Sequence, residues 1–373
     1  MIRALASLIA LAVSAGAALA QGGSESQIVL GQSVALSGPA QELGKDMQLG
    51  ASLYFNHVNA RGGVNGRRIV LKTVDDGYEP ARAAENTKKL INDEKVFALF
   101  GYVGTPTSQA SLPIFTAAKV PFVGPFTGAE LLRTPVNRYV FNVRASYYDE
   151  PEAIVQHLTA MSVDKIAVFY QNDAYGLAGL AGVERALKKR NLQVAAKATV
   201  ERNTVDVAKA VGDMRKADPQ AIVMISAYKS CAAFIKEMKK AGANPTFWNV
   251  SFVGSKALAK ELDREGRGIQ ISQVVPFPWD SSVPVVKEYR ALLAEIKGEP
   301  GYGTLEGYIA AKVMVEGLRR AGKNLTRESF IKAMESLDPY DAGGFKVSYA
   351  PDNHSGSKFV DLTIISRDQK FVR

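Results

Sequence analysis

Val96-Phe97-Ala98-Leu99-Phe100-Gly101-Tyr102-Val103-Gly104-Thr105-Pro106-Thr107-Ser108 is the stretch on which the fold turns. Val96 to Phe100 is an apolar run of the length of one buried strand. Gly101 and Gly104 interrupt it, Thr105 suits a helix N-cap, and Pro106 suits the first helical position. Strand, glycine turn and capped helix together leave backbone N–H groups and the positive end of a helix dipole at the carboxyl edge of a sheet. Crevices at such edges are where open α/β sheets bind ligands. The turn is therefore expected to hold the carboxylate of a small solute, although an ordinary strand-to-helix connection would use the same residue types. Downstream, Val120-Pro121-Phe122-Val123-Gly124-Pro125-Phe126-Thr127 supplies the next short strand.

On either side the same rhythm repeats. Ile28 to Leu36 reads as a strand, and Met47, Ala51, Tyr54 and Val58 mark one face of a helix that stops at Arg61-Gly62-Gly63. Arg68 to Asp75 is a strand, and Pro80 opens a helix. This β-α-β-α-β-α-β order predicts an α/β fold with a parallel sheet covered on both faces. After Tyr139 to Arg144 it starts again, with strands at Lys165 to Tyr170, Leu192 to Val200, Ala221 to Ser226 and Thr246 to Val250. Asn203 or Thr204 is expected to cap the helix carrying Val207, Val211 and Met214. Ile269 to Val275 reads as extended. Helices follow near Val285 to Ile296, Thr304 to Arg320 and Glu328 to Leu337, and strands near Phe345 to Tyr349 and Phe359 to Ile365.

The 373 residues suit two domains, and 47% hydrophobic with 22% charged residues is ordinary for a globular chain. Arg3, the apolar Leu5 to Val13 and Ala18-Leu19-Ala20 read as a secretory signal peptide, 1–20, cleaved after Ala20. No later window approaches the roughly 18 to 20 apolar residues of a membrane helix, so export without membrane insertion is expected. A single cysteine, Cys231, excludes an internal disulfide and reads as core filler. The net charge of +9 is carried by groups such as Lys188-Lys189-Arg190, Lys239-Lys240 and Arg319-Arg320. Each lies near a helix end, where cations complement the dipole. No basic stripe interleaved with aromatics points to nucleic acid.

Catalytic and cofactor signatures are missing. No G-x-G-x-x-G follows a strand, and Gly317 to Asn324 only imitates a phosphate loop. There is no G-x-S-x-G elbow. His57, His157 and His354 lack metal-ligand spacing, so structural or surface roles are expected. An exported α/β chain without nucleophile, metal or cofactor reads as a binder and not an enzyme.

Leu36-Ser37-Gly38-Pro39, then Asn59-Ala60-Arg61-Gly62-Gly63-Val64-Asn65-Gly66, Asp75-Asp76 and Gly101 to Gln109, behind a signal peptide, resemble the periplasmic branched-chain amino acid binding proteins of ABC importers. The likeness spans nearly the whole mature chain. It implies two Rossmann-like lobes with parallel-rich sheets, joined by three crossovers and closing on a small ligand held in the cleft between them. The lobes would be 27–145 with 275–343, and 146–274 with 344–373. The partner implied is a membrane permease with its ATPase subunits, and the receptor is expected to be a monomer. A sensory receptor acting through a separate membrane partner is the alternative.

The resemblance also assigns residues. Thr105, with Phe126 and Thr127, would hold the ligand carboxylate. Tyr175 and Tyr228 would close over it from the second lobe, and Asp149 would help fix an amino group. Tyr102 in the same turn and Tyr148 beside Asp149 are counted with them. Two positions depart from the family pattern: Leu43 stands where a tyrosine is expected, and Ser251 where a glutamate faces the ligand's ammonium. A buried cation without its carboxylate partner costs roughly 3–5 kcal/mol. An aromatic or aliphatic acid, or an amide, suits Leu43 and Ser251 better than leucine, isoleucine or valine.

Overall fold

A computed structural model describes residues 26–373; the expected leader and its cleavage point lie outside them. In chain order the first half gives β1 (Gln27–Val34), α1 (Gln41–Ala60), β2 (Arg68–Asp75), α2 (Pro80–Asn92), β3 (Ala98–Phe100), α3 (Thr105–Ala117), β4 (Phe122–Val123) and β5 (Val140–Phe141). These five strands form one sheet in the order β2-β1-β3-β4-β5, every pair parallel. The β1–β2 register runs from Gln27↔Arg68 to Val34↔Asp75. The strand order reverses between β1 and β3, so the carboxyl ends of these two strands flank a crevice. Leu36 to Gly38 and Gly101 to Thr105 lie there.

The second lobe repeats the plan with α4 (Asp149–Ala160), β6 (Ile166–Gln171), α5 (Ala174–Lys188), β7 (Lys197–Val200), α6 (Ala208–Ala217), β8 (Ala221–Ile225), α7 (Tyr228–Lys240), β9 (Thr246–Asn249), α8 (Ser255–Leu262) and β10 (Gln270–Gln273). The chain then returns to the first lobe for α9 (Pro284–Glu295), α10 (Tyr302–Ala321), α11 (Arg327–Glu335) and a hairpin of β11 (Tyr340–Asp341) and β12 (Lys346–Val347). It ends in β13 (Asp361–Ile365) and β14 (Phe371–Val372). The second sheet runs β14-β13-β10-β9-β8-β6-β7, parallel except where β13 and β14 add antiparallel at one edge. Its order reverses between β6 and β8, which places Tyr175 and Tyr228, just beyond those strands, at a second crevice.

The α/β expectation and the two parallel-rich lobes are thus observed; several local expectations are not. Gly104 (φ 104°), and not Thr105, takes the N-cap place of α3, with Pro106 in the first turn. A Cβ at Gly104 would lie 2.3 Å from the Tyr78 ring, so a side chain able to cap has no room. Asn203 and Thr204 do not cap a helix: α6 begins at Ala208. Asn203 instead sits at φ 61° and sends its amide to Gly77 O (3.2 Å) and Glu79 Oε1 (2.7 Å) on the other lobe. Helix α8 and strand β14 have no counterpart in the sequence reading. Tyr349 Oη donates to Asn142 O (2.9 Å) and His354 Nδ1 lies 2.9 Å from Val140 O, which ties this segment to β5.

Helices α1 and α10 pack closely enough that a Cβ on Gly50 would meet the Thr304 carbonyl oxygen at 1.9 Å. Backbone cannot yield as a flexible side chain can, and overpacking of this kind costs about 1–3 kcal/mol or more. Gly50→Ala should lower the urea midpoint of unfolding sharply. A midpoint equal to wild type would show that the two helices are not in this contact in solution.

Candidate functional site

The two crevices face each other, and aromatic side chains join them. Phe252, in the 3-10 turn Ser251–Val253 beyond β9, has its ring 6.0 Å from Tyr78 and 5.6 Å from Phe126 on the first lobe, and 4.5 Å from Tyr175 on its own. Tyr175 in turn lies 5.5 Å from Tyr147. Polar contacts cross as well: in the interior Gln171 Nε2 donates to Tyr78 Oη (3.3 Å), and at the rim Arg202 pairs with Glu79 (3.1 Å) while also holding Asp173 of its own lobe (3.1 Å). Near Tyr228, Leu43 of the first lobe fills the space above Gly254, where a Cβ would meet Leu43 Cδ2 at 2.6 Å. Between these contacts lies a cavity of about 10 Å³, bordered by Leu43, Asp46, Phe126, Ser251, Gln273 and Glu306. That is room for about one water; the ring and ion-pair contacts across it hold the two lobes together in a closed arrangement.

Thr105 and Thr127 meet at the carboxyl edge of the first sheet, just beyond β3 and β4. Both are fully buried, and their hydroxyls lie 2.7 Å apart. Thr105 begins α3, whose N-cap Gly104 supplies no side-chain acceptor, so the hydroxyl pair adjoins the positive end of a helix dipole. Phe126 contributes its ring; its N–H is engaged by Tyr102 O at 2.8 Å. The Tyr175 hydroxyl is buried without a hydrogen-bond partner among the described residues. Burial pushes the Tyr228 hydroxyl up to about 12 and raises that of Tyr175 as well, so both hydroxyls are neutral donors.

Three expected residues lie elsewhere. Tyr102 points away from the cleft, into the cluster between α2 and α3, with its ring 5.2 Å from Phe122 and its hydroxyl 3.1 Å from Thr87 Oγ1. Tyr148 lies under Arg185, 4.6 Å from the guanidinium carbon. Asp149 accepts from Ser146 N (2.9 Å) and Ser146 Oγ (2.7 Å), closing the turn into α4.

The neighbouring Glu150 turns inward instead, fully buried behind Ser251, which borders the cavity. Its carboxylate accepts from Ser251 N (2.7 Å), Ser251 Oγ (3.0 Å), Ser272 Oγ (2.6 Å) and Arg144 Nη2 (3.1 Å). Ser251 thus stands beside a carboxylate after all, but one whose acceptor positions are filled from within the protein. Arg144, also fully buried, approaches Glu306 Oε1 at 3.4 Å. Burial alone would lower the Arg144 pKa, but Glu306 and Glu150 together hold it above the ordinary arginine value. Burial pushes Glu306 up to about 7, against the pull of Arg144. Asp46 is likewise pushed up to about 7 by burial, with Lys256 opposing. Sequence reasoning missed Arg144, Glu150, Phe252, Glu306 and Asp46. The available signal was position: Arg144 follows a strand end, and Glu306 is a charge within the mainly apolar run Tyr302 to Ala311.

Among the described residues no group of three His, Cys, Asp or Glu side chains is placed to hold a metal, and no helix is long and apolar enough to cross a membrane. Comparison with known proteins gives the same class as the two-lobed cleft. A family model described as periplasmic binding protein matches residues 27–369. The crystal structure of a possible leucine/isoleucine/valine-binding protein from Rhodopirellula baltica SH 1 superposes with a TM-score of 0.88 at 34% identity, covering 94% of this chain and 97% of that one. A substrate-binding periplasmic protein from Ralstonia solanacearum gives a TM-score of 0.87 at 32% identity, covering 93% and 99%. A Leu/Ile/Val-binding protein homolog 7 of Brucella abortus (strain 2308) is 27% identical over 365 residues, covering 92% of this chain and 88% of that protein. The chain belongs to the periplasmic binding protein family, in the type I fold and related to the Leu/Ile/Val-binding proteins. It is a periplasmic solute-binding receptor of an ABC importer with a membrane permease as partner, and not an enzyme.

The raised carboxyls give the fold a pH dependence of definite sign. Between the ordinary value of 4.5 and about 7, Glu306 binds more protons folded than unfolded, so stability falls as pH rises through that window. Asp46, raised from 3.8 to about 7, acts in the same direction, whereas Asp75, lowered to about 2, acts only below pH 4. Thermal unfolding from pH 4.5 to 7.5 should show a steeper decline for wild type than for Glu306→Gln. Parallel profiles would mean that Glu306 is not buried as described.

Proposed function

We propose that the transported solute is a small carboxylate-bearing molecule whose carboxylate is received by Thr105 and Thr127 at the start of α3. The observation that carries this reading is the pair of buried threonine hydroxyls beside an N-cap glycine that offers no side-chain cap. Phe126, Leu43 and Phe252 supply apolar surface, and Tyr175 and Tyr228 close from the second lobe. Ligand bound between the lobes shifts an open–closed equilibrium toward the closed form, which is the form presented to the permease. The related proteins named for leucine, isoleucine and valine support an amino acid or a close analogue as the solute. The mature chain begins at Gln21, which intact-mass analysis of periplasmic protein can check.

Replacing one hydroxyl that donates to a carboxylate removes about 1.5–3 kcal/mol. Thr105→Ala should therefore weaken binding roughly tenfold to hundredfold, measured by calorimetric titration with a panel of amino acids and organic acids. Unaltered affinity in the variant would move the carboxylate away from α3.

A further inference from the structure

Arg144 is fully buried directly behind residues that border the cleft cavity, and half of its hydrogen-bonding edge is unused. Nη2 donates to Glu150 Oε1 (3.1 Å) and to Ser251 Oγ. Nε and Nη1 make no hydrogen bond among the described residues, although Glu306 Oε1 lies 3.4 Å from Nη1. The guanidinium carbon sits 5.0 Å from the Phe126 ring centroid and 5.9 Å from that of Tyr147. Tyr147, whose ring faces the guanidinium, also has Thr127 beside its hydroxyl, so the guanidinium and the threonine pair lie against the same residue. Phe126, Ser251 and Glu306, three residues touched by the guanidinium, also border the closed cavity. Buried donors without acceptors cost stability, and a ligand acceptor placed here would satisfy them.

The surroundings favour an acceptor over a cation. Glu150 already takes four donors from within the protein and has no position left for an ammonium group. Of the two carboxyls that border the cavity, Asp46 has Lys256 as its cationic neighbour and Glu306 has Arg144 itself, at 3.4 Å. An ammonium on the carbon next to a carboxylate held by Thr105 would be brought toward a buried guanidinium of like charge, in a medium where such repulsion is strong.

We propose that Arg144 is a ligand-contacting specificity residue, and that the receptor takes carboxylic acids bearing an oxo group, a hydroxyl or hydrogen, in place of an ammonium group, at the α-carbon. The inference rests on the carboxylate reading given above and narrows it. An α-oxo or α-hydroxyl oxygen accepts from Nε or Nη1 while the carboxylate stays on the threonine pair.

The test is calorimetric titration of the mature protein with matched sets that differ only at the α-carbon. One set is leucine, 4-methyl-2-oxopentanoate, 2-hydroxy-4-methylpentanoate and 4-methylpentanoate; the other is phenylalanine and its 2-oxo, 2-hydroxy and unsubstituted counterparts. The expected result is at least a tenfold preference for a non-amino member in any set that binds. Equal or tighter binding of the amino acid overturns the assignment and leaves the carboxylate receptor standing. No binding by any member of either set overturns both. Arg144→Gln alone strands Glu150 as a buried, unpaired charge and can unfold the protein, so the informative variant is the double Arg144→Met/Glu150→Gln. It should bring the affinities of amino and non-amino members at least tenfold closer together. An unchanged ratio in the folded double variant would assign Arg144 a purely structural role and overturn the proposal.

Discussion

The buried ion pair between Arg144 and Glu150 is the interaction on which the closed molecule depends. The two residues bracket the first passage of the chain between lobes. Arg144 follows the last strand of the first sheet and lies over Phe126, a first-lobe ring. Glu150 starts α4, and the groups that hold its carboxylate, apart from Arg144, belong to Ser251 and Ser272 of the second lobe. Two charges taken out of water remain tolerable only while these partners are supplied, and losing one member of such a pair costs about 3–5 kcal/mol. The arrangement links the hinge to the cleft wall: Ser251, which anchors Glu150, is followed by Phe252, whose ring meets Tyr78 and Phe126 across the cleft.

The cleft owes its position to topology. Each sheet reverses its strand order once, between β1 and β3 in the first and between β6 and β8 in the second. The segments leaving those strand ends carry Thr105 on one side and Tyr175 and Tyr228 on the other. Around this centre the contacts are of two kinds. Aromatic rings exclude water along the middle, where their area contributes most. Charged and amide groups such as Arg202, Glu79 and Asn203 meet at the partly exposed rim, where they separate at small cost when the lobes part.

The sequence made the strand and helix order legible because apolar runs and helical periodicities are local signals. The Thr105 turn was legible for the same reason, but its cap was misassigned: the position goes to Gly104 because the Tyr78 ring, distant in sequence, excludes any side chain there. Tyr102 looked like a cleft residue from its place beside Gly101. That glycine sits at φ 60°, the chain changes direction, and the tyrosine joins the core behind the sheet. Asp149 and Glu150 are adjacent acids that composition cannot separate. Which of them turns inward depends on Ser146 on one side and on Ser251 and Ser272, more than a hundred residues away, on the other. Asn203 resembles a helix cap in isolation; its partners on the first lobe exist only once the lobes meet.

The central claim is that two lobes close on a ligand held between them. Spin labels on cysteines placed at Glu85, on α2, and at Val205, across the rim, would report the separation directly by pulsed dipolar spectroscopy. Both positions are exposed, and the native Cys231 is buried. The account predicts a broad distribution with a longer component in the free protein, collapsing onto one short distance when a bound carboxylate saturates the site. The same distribution with and without that ligand would contradict it.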